Sequence, residues 1–182
     1  MSRLPNMTDR AQVPEHLREA YDQVAGDRHG SVSGPYGVML HSPELAIRGA
    51  ALSNYLRWDS ALTPAQRELA ILVTARHFDA AVMWAGHVRL AHDAGISDQV
   101  IDAIANRRDL AAFGAEEAEI VAYVRELWTT NRVSGPTFAA LHHRLGDQGI
   151  VDLTGLIGYY AFIGATLNAF EIEPPEGAAR LP

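Results

Sequence analysis

Two side chains in this sequence have the type and the setting for proton chemistry: Glu68 and His87. Glu68 sits in Gln66-Arg67-Glu68-Leu69-Ala70-Ile71-Leu72-Val73, and His87 closes Val82-Met83-Trp84-Ala85-Gly86-His87. The surroundings of Glu68 are almost wholly apolar. A carboxylate is costly to bury there unless it is paired or neutralised. A group that lowers stability is a stronger functional lead than one that merely packs. Apolar surroundings favour the neutral acid, and a neighbouring imidazole favours the carboxylate. Together they suit proton transfer near neutral pH. A plain Glu–His hydrogen bond tying two helices together fits the same residues, and spacing alone leaves both readings open.

Two helices must position this pair. Thr63-Pro64-Ala65-Gln66 is a capping-box start with proline at the first helical position, and predicts a helix from there to about Phe78. A second helix is predicted over about Ala80 to Ala94, ended by Gly95. On the first, Glu68, Leu72 and Ala75 form one stripe. On the second, Ala80, Met83, Trp84, His87 and Ala91 share a face. A short turn makes the helices antiparallel, so Glu68 and His87 can meet.

The rest of the chain also reads as helices: Glu15 to Ala25, Ser42-Pro43-Glu44 to about Trp58, Ser97 to Asn106, Glu116 to Thr130, Ser134-Gly135-Pro136 to about Leu145, and Gln148 to Phe170. Gly26 to Gly37 reads as a loop. No strand alternation and no linker stand out. The expectation is one all-α domain over residues 1–182, with 1–34 as an N-terminal extension and 171–182 as an extended tail.

The chain has 182 residues, a net charge of −7 and no cysteine. The charge argues against nucleic acid and anionic membranes as partners. The missing cysteines exclude disulfides, thiolate nucleophiles and zinc–thiolate sites. The stretch Ile150 to Phe170 is strongly apolar. Asp152, Asn168, two tyrosines and three glycines within it favour a buried core helix over a membrane span. The first residues have no apolar signal-peptide core, so a cytoplasmic location is expected. Adjacent His142 and His143 diverge by about 100° on a helix, and His87 and His92 are five apart. Neither pair suits shared ligation, so no metal is expected.

In these residues the chain resembles the carboxymuconolactone decarboxylase and alkylhydroperoxidase-D-like family. The resemblance is densest in Arg67-Glu68-Leu69-Ala70-Ile71-Leu72, Trp84-Ala85-Gly86-His87-Val88, Ala94-Gly95-Ile96-Ser97 and Leu153-Thr154-Gly155-Leu156-Ile157-Gly158-Tyr159-Tyr160. It implies an alkylhydroperoxidase-D-like helical domain packed into a homo-oligomer, a trimer or hexamer, with the site near a subunit boundary. The family's peroxidase branch uses a Cys-x-x-Cys pair. The matching positions here are Ala80 and Met83, which rules out disulfide-based peroxide reduction. The cysteine-free branch implies a lyase of aromatic catabolism acting on a lactone acid formed from protocatechuate.

That chemistry needs no cofactor. Loss of CO₂ sends electrons into the conjugated lactone carbonyl, and a proton must then be delivered to carbon. His87 is the candidate donor, and Glu68 its orienting partner. Trp84 and Met83 are expected to shape the pocket, and Tyr160 to line it. Among Arg67, Arg76 and Arg89, Arg76 is the favoured holder of a substrate carboxylate. Two other readings stay open: a different acid/base enzyme, such as an isomerase, hydratase or dehydratase, and a non-catalytic oligomeric binding protein. The double substitution Ala80→Cys with Met83→Cys restores the thiol pair. It is expected to confer thiol-dependent peroxide consumption, read in a coupled peroxide assay; no consumption would show that the geometry has drifted.

Overall fold

Proline and glycine punctuation sets the element order. The computed structural model describes residues 2–182, and no strand occurs among them. Eight α-helices occur among these residues: α1 (Arg18–Asp27), α2 (Tyr36–Met39), α3 (Pro43–Asn54), α4 (Pro64–His77), α5 (Ala81–Asp93), α6 (Asp98–Ala105), α7 (Ala115–Thr130) and α8 (Gly135–Ala169). The all-α expectation is thus met. The segment after Ala169 is irregular. Contacts cluster the chain, which the sequence reads as one domain, into two compact units. One runs to Ser60 and takes in Thr166–Glu173; the other holds Ala61–Ala165 and Pro174–Pro182.

In the first unit, α1 buries Ala20, Tyr21 and Val24 and packs on α3. The stretch expected to be a loop up to Gly37 contains the start of α2. Pro35 already has helical φ and ψ, and Tyr36 buries its ring while its hydroxyl donates to the Gly49 carbonyl at 3.2 Å. The expected continuation of α3 to Trp58 is present as a π-helical turn, Tyr55–Asp59.

In the second unit, α4 is the central element. The Thr63 hydroxyl and the Gln66 side chain form the predicted capping box, and Pro64 stands at the first turn. Every residue from Glu68 to Ala75 is buried. A helix apolar on all sides needs neighbours on all sides, and α4 packs against α5, α6 and α7. Gly95, at φ +88, ends the α5 segment, and the Ser97 hydroxyl caps α6.

The two helices expected at the C-terminal end are present as the two halves of α8, which meet in a kink at Gly146, where φ is 68° and ψ −178°. By length and apolar composition α8 is the one helix among the described residues that could cross a membrane. Its burial is striped instead: Leu153, Leu156, Ile157, Tyr160 and Ile163 are buried, while Thr154, Gly155 and Gly158 are exposed. The buried Asp152 carboxylate accepts from the Ala61 amide at 2.9 Å. These are the marks of a helix packed in protein.

The Gly146 conformation is one that L-residues avoid, costing about 1–3 kcal/mol when forced. Gly146→Ala is therefore expected to lower unfolding free energy by roughly that amount, measured by urea denaturation.

Candidate functional site

Glu68 lies on the second turn of α4, and its helix neighbours Leu69, Ala70, Ile71 and Leu72 are buried. The tight α4–α5 turn, with Asp79 in the left-handed region at φ 48°, returns the chain antiparallel. His87, midway along α5, then faces Glu68. Nδ1 of His87 and Oε2 of Glu68 are 2.6 Å apart. Both residues are buried, at 5% and 8% exposure. The pairing expected from the two stripes is present, and it puts the interaction where water screens it little.

Aromatic groups close around the imidazole. The Tyr160 ring from α8 meets His87 edge to face, with centroids 5.1 Å apart. Tyr159 meets Tyr160 in the same way at 5.5 Å. Tyr160, Trp84 and Met83 are all buried. Met83 packs at Gly164 of α8, which also lies against Ala80. The structure therefore sets Glu68 and Tyr160 each against His87, with Trp84 one turn before His87 on α5.

The geometry fixes the working nitrogen. With Glu68 as a carboxylate, His87 Nδ1–H donates to it. Nε2 is then the atom that can take up or release a proton. A histidine held in one tautomer by a buried acid is a general acid/base arrangement. Among the described residues, no three His, Asp or Glu side chains cluster as metal ligands would. His142 instead pairs with Asp147 and stacks on Phe138.

The arginine expectation is corrected. Arg76 does not join the pair: Nε donates to the Ala105 carbonyl at 2.6 Å, and its guanidinium is bound to Asp79. It stands eight residues beyond Glu68, about 12 Å along the helix axis. Arg67 donates to the Leu62 carbonyl, and Arg89 is an exposed partner of Asp93. The sequence reading also passed over Asp152, taking it only as an argument against a membrane span. A lone acid in an apolar helix was the available signal, and here it anchors the chain just ahead of α4.

The carboxymuconolactone decarboxylase family model matches residues 43–126, somewhat under half of the chain. The matched stretch contains both Glu68 and His87; Tyr160 and all of α8 lie outside it. No curated protein matches the sequence.

Removing the imidazole from a buried carboxylate is strongly destabilising. His87→Ala is expected to lower stability by about 3 kcal/mol while the helical circular dichroism persists. Glu68→Gln, which keeps a hydrogen-bonding group, is expected to cost about 1 kcal/mol. Urea denaturation followed by circular dichroism checks both.

Proposed function

We propose that this protein, whose residues 43–126 match the carboxymuconolactone decarboxylase family model, is a cofactor-independent lyase that decarboxylates a small cyclic lactone acid or keto acid. The observation that carries the reading is the buried 2.6 Å contact between Glu68 and His87 Nδ1. Glu68 orients the imidazole. As the carbon–carboxylate bond breaks, CO₂ leaves and its electron pair passes into the conjugated carbonyl as a dienolate. His87 Nε2–H then gives its proton to carbon, and solvent restores the imidazolium. Tyr160 and Trp84 form an apolar wall that raises the strength of these charge interactions. The absence of any cysteine removes the thiol route to peroxide reduction.

We further propose that the working form is a homo-oligomer. Leu45, Leu52, Tyr55 and Trp58, on α3 and its π-turn, are large apolar side chains left exposed, Trp58 by 57%. Patches of this kind suit burial against a second copy.

The test is turnover of carboxymuconolactone generated in situ, followed by CO₂ release and ultraviolet change. Wild type is expected to turn over. His87→Ala is expected to lose activity by about 10²–10⁴-fold, the usual size of a general acid/base contribution. Glu68→Gln is expected to fall between them. Activity retained by folded His87→Ala would reduce the pair to a structural tie. Proton exchange without CO₂ release would assign an isomerase on the same residues.

A further inference from the structure

A cavity lies on the other side of α4. It measures about 500 Å³ and is bounded by Arg76 and His77 of α4, Arg107 just past α6, and Arg125 of α7. Val73 and Ile104 give it an apolar floor. Val73 and His77 project about 140° and 180° round the helix from Glu68, so this cavity is separate from the Glu68–His87 pair.

Its charge is unbalanced. Asp79 binds both Arg76 and Arg107, the latter at 3.1 Å. Arg125 uses one of its five donors on the Arg108 carbonyl at 2.7 Å, and Asp109 acts on it only through space. Three guanidiniums thus face one carboxylate at bonding distance. Burial, and after it Arg107, push the His77 imidazole below its ordinary range against the pull of Asp79, and burial pushes Arg125 down against that of Asp109.

The rim is built at some cost. Asp79 and Arg107 each follow a helix end in the left-handed region, at φ 48° and 53°, where glycine is the unstrained choice. Both positions carry charged side chains instead, and these bond across the gap between the ends of α4 and α6. A strained, cation-rich rim over an apolar floor, of a volume usual for small-molecule sites, has the composition of a clamp for an amphipathic anion.

We propose that this cavity binds a small organic acid, with its carboxylate gripped by Arg107 and Arg125 and its apolar body resting on Val73 and Ile104. This goes beyond the lyase reading and does not depend on it.

Isothermal titration with benzoate, neutral benzamide and inorganic phosphate tests the proposal. Benzoate is expected to bind saturably at one site, more tightly than phosphate, and benzamide not at all. Arg107→Gln and Arg125→Gln are each expected to weaken benzoate by about tenfold, the loss of one charge-assisted contact. Thr129→Trp, which fills the cavity from its edge and keeps every arginine, is expected to abolish binding. His87→Ala is expected to bind as wild type does. Absence of benzoate binding, or binding unchanged in Arg107→Gln, Arg125→Gln and Thr129→Trp, overturns the proposal. So does loss of binding in His87→Ala, which would place the acid at the other site, and phosphate binding as tight as benzoate, which would leave the apolar floor without a role.

Discussion

The second unit depends on one buried interaction, the 2.6 Å contact between Glu68 and His87. It lies between two helices that otherwise meet through apolar side chains. Hydrophobic packing alone tolerates small slides of one helix along another. A short hydrogen bond between buried groups does not, because a shift of one residue leaves both unsatisfied. The pair therefore sets the register of α4 against α5, and α4 in turn is the surface on which α6 and α7 pack. The group that carries the proposed chemistry also fixes the frame that holds it.

Much of this was legible in residue types. Thr63, Pro64 and Gln66 announced the start of α4, and Gly95 and Ser97 the break before α6. The stripes through Glu68 and His87 predicted their meeting because both are local consequences of a 3.6-residue period. Tyr160 could be placed on the apolar last helix, but its contact with His87 depends on how α8 packs beside α5. That packing turns on Gly164, Ala80 and Met83 together, a three-way fit that no single window of sequence displays.

Arg76 shows the opposite limit. By helical angle it leaned toward the Glu68 side, and by chemistry it suited a substrate carboxylate. Its side chain instead turns to the end of α6 and to Asp79, because exposed helix-terminal carbonyls and an acid at a left-handed position attract a guanidinium strongly. The α2 helix lies in a stretch that reads as a loop for a related reason. It is a four-residue element with every residue buried, decided by that burial and not by its own propensity.

Gly146 has a consequence in stereochemical terms. At φ 68° and ψ −178°, its backbone is the mirror image of ordinary extended chain. A residue of D configuration would sit there without strain, whereas an L residue must crowd its Cβ against the carbonyl group of the residue before it. The genetic code offers no D residue, and glycine, being achiral, is the one encoded stand-in. The bend that separates the two halves of α8 is thus a point of inverted handedness between two right-handed helices.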